Sequence, residues 1–262
     1  MPNLLDEIVA ERRKTLAGVQ ARLPFERVKA AAERRPEGFD RRDFAAALSV
    51  PELGVIAELK QASPSRGVLR TDYRPREIAQ GYGAAGAVAL SVLTEERHFH
   101  GSLTDLVDAR DATSIPVLRK DFIVDPYQVY ETAASGADAL LLIVAALDDS
   151  DLRRLIELAA RLEVAALVEA HNEEELDRAL AAGATIVGVN NRDLRTFEVS
   201  LETSFRLRSR IPAGCLAISE SGIATAADLK RLHEAGFNAA LIGERLITAP
   251  DPGEALAALL GK

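Results

Sequence analysis

From residue 55 onward the chain places a short apolar run every 21 to 32 residues, counted from start to start. The runs are Val55–Lys60, Ala87–Thr94, Pro116–Phe122, Ala139–Ala145, Val164–Ala170, Thr185–Asn191, Leu216–Ser221 and Ala239–Gly243. They are continuous rather than alternating, which suits strands buried on both faces of a parallel sheet. Their spacing fits a strand, a crossover helix and two loops. Between them lie helical patterns. Asp148–Glu163 puts Leu152, Leu155, Ile156, Ala159 and Leu162 on one face. Asn172–Ala182 opens on an Asn cap and stops at Gly183, and Thr225–Ala235 opens with Thr225 and Asp228 in capping-box spacing. Three helices end in the same step, at Ser135-Gly136-Ala137, Ala182-Gly183-Ala184 and Ala235-Gly236-Phe237.

Eight strands alternating with helices predict a (β/α)8 TIM barrel. An open doubly wound sheet is the competitor, and it requires an edge strand unlike the others; none of the eight runs is unlike the others. Ahead of the barrel, Leu4–Gly18, Pro24–Arg35 and Arg41–Leu48 read as helices, the first with an apolar face of Leu4, Leu5, Ile8 and Val9. The expected organisation is one domain, with residues 1–50 a helical extension capping a barrel of residues 55–262.

Composition narrows the partners. Thirty-two basic against 40 acidic residues give a net charge of −8, so nucleic acid and anionic lipid are not expected partners. The longest apolar stretch, Ala139 to Leu147, is far short of the roughly 20 residues of a membrane helix. Asp6, Glu7 and Glu11 in the first turns argue against a secretory or transit signal. The single cysteine, Cys215, fits a reducing, cytoplasmic setting, and four scattered histidines make no zinc framework. Lysine is scarce: Lys14, Lys29, Lys60, Lys120, Lys230 and Lys262 are all there are. A lysine at the end of an apolar strand therefore stands out.

In a barrel the C-terminal strand ends face the active site. Polar residues there are Glu58 and Lys60 on the first strand, Lys120 on the third, Glu169 on the fifth, Asn190 to Arg192 on the sixth and Glu220 on the seventh. Glu58 and Lys60 are two apart and share a face, leaving Leu59 to pack outward. Glu58, Lys60, Lys120, Glu169 and Glu220 all come from odd strands, which supply one layer of a barrel interior, so a ring of three carboxylates and two ammonium groups is expected. Such a ring is either a structural ion network, which is costly to bury, or a set of acids, bases and charge clamps. Interleaved lysines argue against a metal among the carboxylates. Ser221-Gly222 after strand seven and Gly243-Glu244 after strand eight offer backbone N–H groups to a phosphate. The loop Ser63-Pro64-Ser65-Arg66-Gly67 is either a polar surface turn or a closure over an anionic substrate. His98 and His100 are read as loop residues without a role.

The segment Glu58-Leu59-Lys60-Gln61-Ala62-Ser63-Pro64-Ser65-Arg66-Gly67 resembles the signature of the indole-3-glycerol phosphate synthases of tryptophan biosynthesis. The resemblance continues through Leu90–Thr94, Leu118–Phe122, Leu167–Ala170, Gly188–Leu194 and Ser219–Ile223, and spans essentially the whole chain. It implies ring closure, decarboxylation and dehydration of 1-(2-carboxyphenylamino)-1-deoxyribulose 5-phosphate, with no metal or organic cofactor. It implies Lys120 as general acid, Glu169 as its acid/base partner, and Glu58 and Lys60 acting on the substrate's amine and carboxylate. It further implies that Asn190 orients the substrate and that Arg192 and Glu220 position the acid/base groups. Ser63, Ser91, Phe122, Arg192 and Ser221 would contact substrate, and Ser63, Ser221, Gly222, Gly243 and Glu244 its phosphate, Glu244 through its backbone. Arg66 and Arg245 depart from the family pattern, which often has Lys and a small residue there. A monomer is expected, with weak association with other pathway enzymes left open. Two rivals remain: another sugar-phosphate barrel, such as a Schiff-base aldolase, and a barrel that binds a phosphometabolite without turnover.

Overall fold

A computed structural model describes residues 4–34, 40–193 and 196–262. The expected helix end at Arg35 and Leu194 of the sixth-strand motif lie outside the described residues. Eight parallel strands form a closed barrel in sequential order. They are β1 (Gly54–Leu59), β2 (Ala89–Leu93), β3 (Val117–Lys120), β4 (Ala139–Ile143), β5 (Ala165–Ala170), β6 (Ile186–Asn190), β7 (Leu216–Glu220) and β8 (Ala239–Ile242). The barrel closes where β8 pairs with β1, from Gly54↔Ala239 to Ala57↔Ile242. It is the (β/α)8 fold that the spacing of apolar runs predicts.

Alternation along each strand separates two apolar cores. Val55, Ala57 and Leu59 pack outward with Leu90, Val92, Leu140 and the helices. Ile56, Leu118, Leu141, Leu167, Ile218 and Leu241 fill the barrel interior. Leu59 thus faces the helices, which turns Glu58 inward. Caps set the helix starts. Asp148 accepts from the Asp151 N–H ahead of Asp149–Arg161, and Asn172 accepts from that of Glu175 ahead of Glu173–Ala181. Thr225 and Asp228 form the full capping box. Gly136, Gly183 and Gly236 take left-handed φ values of 80°, 94° and 87°, and Gly86 repeats the same helix-to-strand turn at 102°.

The N-terminal helices divide their work between the two barrel ends. The helix Leu4–Arg22 lies over the C-terminal mouth, where Leu4, Leu5 and Ile8 border the central cavity. Arg12 ties it down through Asp121, at 2.5 Å, just past β3. The short helix Phe44–Leu48 closes the opposite end, packing Phe44 and Leu48 into the inner core with Ala89, Ala139 and Ala239 at strand starts. Asp43 caps it. Between them, Phe25–Glu33 packs on Pro126–Ala134, with Phe25 stacked edge-on against Tyr130 at 5.2 Å. Among the described residues no helix is long and apolar enough to cross a membrane.

Candidate active site

A cavity of about 570 Å³ opens at the C-terminal ends of the strands. Its floor is built by odd strands. The inward positions above Ile56, Leu118, Leu167 and Ile218 are Glu58, Lys120, Glu169 and Glu220, so an apolar layer carries a charged one. Lys120 Nζ lies 2.9 Å from Glu169 Oε2 and 2.9 Å from Glu220 Oε2. Glu58 lies in the same layer, and Lys60, one step beyond the end of β1, meets its Oε1 at 2.7 Å. The expected five-membered ring is therefore a layer of four with Lys60 folded down onto it from above.

Two glycines, Gly188 on β6 and Gly243 just past β8, make room for the carboxylates. A Cβ at Gly188 would stand 2.2 Å from Glu220 Oε1, and one at Gly243 would stand 2.1 Å from Glu58 Oε1. Any side chain at either position would push an acidic group out of the layer. This requirement is invisible in a strand pattern, where Gly188 reads as a gap and Gly243 as a phosphate-loop glycine.

The charges in the layer are unequal. Burial would lower the Lys120 pKa, but Glu169, Glu220 and Glu58 outweigh it and hold the ammonium well above its ordinary value. Burial pushes Glu169 up, yet Lys120 and His171 pull it far below the usual carboxylate range. Glu220 goes the other way. Burial and the charge of Glu169 raise it to about 7, against the pull of Lys120. Its Oε1 has no hydrogen-bond partner. One lysine thus faces one firmly ionised carboxylate and one that readily takes a proton, an arrangement suited to acid–base work.

The walls hold most of the residues expected there. Asn190 ends β6 and borders the cavity, its Oδ1 accepting from the Arg192 N–H at 3.1 Å. Phe122 borders it too, with its ring 6.1 Å from that of Phe99. Ser63, Ser221, Gly222, Gly243 and Glu244 converge on one side of the mouth. Ser63 Oγ is buried without a partner, and Ser221 holds a left-handed φ of 68°, a strained conformation for a residue with a side chain. Gly243 caps the helical turn Glu244–Ile247. The Glu244 carboxylate is engaged by Arg66 across the mouth, leaving its backbone for a ligand. Arg66 therefore joins the loops after β1 and β8.

Two expected contacts sit differently. Ser91 is fully buried beneath the cavity and does not border it. Arg192 reaches the wall, but its guanidinium donates to the Phe197 carbonyl at 3.4 Å, not to an acid/base group. The positioning of Glu220 falls instead to Asn191, which sequence reading left without a role of its own. Its Nδ2 donates to Ser219 Oγ and to the Glu220 and Ser221 carbonyls at 2.9–3.0 Å, while its Oδ1 accepts from the Ser204 N–H. That network joins β6, β7 and the following loop, so it depends on pairings no local motif displays.

Comparison with known proteins decides what this cavity belongs to. The family model described as indole-3-glycerol phosphate synthase matches residues 5–259. The chain belongs to this family. It is 50% identical over 265 residues to the indole-3-glycerol phosphate synthase of a Polaromonas species, covering 100% of this chain and 99% of that one. It is 49% identical to the enzyme of the same name from Chromobacterium violaceum, covering 99% and 98%. Among solved structures, N-acetylmannosamine-6-phosphate 2-epimerase from Clostridium perfringens superposes with a TM-score of 0.63 at 16% identity, covering 78% of this chain and 91% of that one. A thiamine phosphate pyrophosphorylase from Pyrococcus furiosus does so with a TM-score of 0.60 at 15% identity, covering 80% and 94%. These two share the fold. As a member of the synthase family the chain is a carboxy-lyase of tryptophan biosynthesis acting on a small phosphorylated substrate.

Proposed function

We propose that the layer of Glu58, Lys120, Glu169 and Glu220, with Lys60 above it, performs the three chemical steps of indole-3-glycerol phosphate synthesis. The ring carbon bearing the substrate carboxylate attacks the ketone carbon, and Lys120 Nζ donates a proton to the ketone oxygen as charge builds there. Lys60 faces the carboxylate and orients it. Loss of carbon dioxide leaves its bonding electrons in the ring and restores aromaticity. The new hydroxyl then departs as water with a proton from an acid, while Glu169 removes a proton to form the indole double bond. Glu58 holds Lys60 and the substrate amine, Asn190 orients the ring, and Glu220 keeps Lys120 charged. Ser63, Ser221 and Gly222 with the amides at Gly243 and Glu244 take the phosphate, and Phe122 the aromatic ring. The reading extends to one cytoplasmic, monomeric domain.

The observation that supports this most directly is Lys120 Nζ held at 2.9 Å from both Glu169 and Glu220. The test is to incubate the purified protein with the synthetic carboxyphenylamino-deoxyribulose phosphate and follow indole fluorescence. Fluorescence should rise with wild type and be lost in Glu169→Gln. Binding without fluorescence in wild type would make this a binding barrel, and borohydride trapping of a keto-phosphate on a lysine would make it an aldolase.

A further inference from the structure

Glu169 has two faces. Its Oε2 meets Lys120 in the active-site cavity. Its Oε1 lies on the other side, within ion-pair distance of His171 Nε2 at 3.3 Å but outside hydrogen-bond geometry. His171 is two residues along the chain, so its side chain would share the inward face of Glu169, but it lies past the end of β5 and turns back against it. Its second ring nitrogen, Nδ1, lies 2.9 Å from Glu175 Oε2. Glu175 is itself fixed: the same Oε2 accepts the His171 backbone N–H at 2.9 Å, and Oε1 accepts from Asn172 Nδ2 at 2.8 Å. The imidazole is almost wholly buried between the two carboxylates, at the edge of a second, polar cavity.

Carboxylates only accept. A bare Nε2 lone pair 3.3 Å from one carboxylate, on a ring whose Nδ1 already bonds another, is repelled by it, and a proton on both nitrogens turns that repulsion into an ion pair, which makes the ring an imidazolium. We propose that His171 is a positioning residue for this reaction: a buried imidazolium, braced by Glu175, that fixes the orientation of Glu169 from behind and keeps it ionised while Lys120 gains and loses its proton in front. Without a second cation, Glu169 would be paired only with the group to which the reaction assigns a proton transfer. Each time Lys120 gave up its proton, Glu169 would lose its only counter-charge and its tendency to stay an open base. With His171 behind it the carboxylate keeps one cation throughout the cycle. Burial lowers the His171 pKa, but the two glutamates raise it to about 10, in keeping with that geometry. The other charged groups around it are Lys120 and Glu220 beyond Glu169, and Asp6, Arg192, Asp193, Glu198 and Arg206 around the second cavity.

The inference rests on Glu169 acting as the base, and the experiment separates the two claims. In His171→Gln, which keeps a hydrogen-bond donor but no charge, the acidic limb of kcat should move up by about one pH unit or more, the usual scale for losing a neighbouring opposite charge. KM should change less than about threefold, because His171 does not border the substrate cavity. Nitrogen-15 spectra of the imidazole give a readout independent of turnover: both ring nitrogens should be protonated at pH 8 in wild type, and Glu169→Gln should lower the titration point of His171. A neutral His171 at pH 8 would overturn the inference. So would an acidic limb unmoved in His171→Gln while Glu169→Gln has lost turnover. Full turnover in Glu169→Gln would instead overturn the role of Glu169, and with it the purpose given to His171, even with the imidazolium in place.

Discussion

Lys120 carries two tasks that a single substitution can separate, holding a positive charge and moving a proton. Arginine keeps the charge, but its pKa above about 12 keeps the proton as well. The raised pKa of Lys120 does not bar donation, because an alkoxide forming on the substrate is a far stronger base than an amine. Lys120→Arg should therefore lose at least ~100-fold in turnover, the scale of general acid catalysis. Product binding, measured by calorimetry, should persist, since the proposed phosphate contacts come from the loops after β1, β7 and β8. Near-normal single-turnover rates would make Lys120 a charge clamp and move the acid role to Lys60. At this scale the sequence was informative where chemistry follows strand parity. Glu58, Lys120, Glu169 and Glu220 sit at inward positions of odd strands, and two-residue periodicity places them. It was uninformative where a side chain acts across the fold. His171 reads as one more loop histidine until Glu169 and Glu175 are seen on either side of it, and Asn191 reads as a neighbour of Asn190 until its bonds to β7 are traced. Ser91 is inward by parity, as a strand pattern suggests, but it is fully buried and does not border the cavity.

Strands and their crossover helices announce themselves through continuous apolar runs and Asn, Asp or Thr caps, and the observed bounds differ mainly at strand ends. Pro116–Phe122 shrinks to Val117–Lys120 because the chain leaves the ladder where Asp121 is drawn into side-chain bonds. Ala139–Ala145 ends at Ile143 because Val144–Ala146 tightens into a 3-10 turn. The N-terminal segments read as helices, but the pattern of Phe44–Leu48 does not state that it closes the barrel end opposite the mouth. What fixes the first of them is electrostatic. Asp121 is wholly buried, held by Arg119, Thr94 and Arg12, and burial, which raises its pKa, is overcome by the two guanidinium groups, which lower it. Arg12→Met removes the one partner that belongs to the helix, while Arg119 still neutralises the carboxylate. The barrel should stay folded with a loss of about 1–3 kcal/mol, below the full cost of an unpaired buried charge. The helix should detach from the mouth, so KM should rise several-fold, on the order of 1 kcal/mol of binding, with kcat nearly intact. Kinetics and a thermal melt on the same sample check both. An unchanged KM would mean that Leu4, Leu5 and Ile8 hold the helix without Arg12.

For the whole molecule the charged layer is a liability that the two apolar cores offset. A chain with net charge −8 keeps three glutamates together at the centre of its barrel, and one of them is displaced from its solution pKa in the unfavourable direction. The sign follows from linkage. Glu220 is raised to about 7 in the folded protein and ionises near its ordinary value of 4.5 once exposed by unfolding. The folded state therefore binds the extra proton between those values, and the stability this confers is present at low pH and lost as pH rises through about 7. Over that window the loss is on the order of 3 kcal/mol, about 2 kcal/mol of it above pH 5.5. Glu220→Gln cannot titrate and should show no such loss. Equilibrium urea unfolding of both proteins at pH 5.5 and pH 8.5 isolates the effect, because the other ionisable groups are common to both and largely cancel in the difference. The variant should gain on wild type as pH rises, becoming the more stable protein at the alkaline end while having lost turnover. A stability difference that stays constant between the two pH values would mean that Glu220 is ionised throughout, and that Lys120 works between two permanent carboxylates.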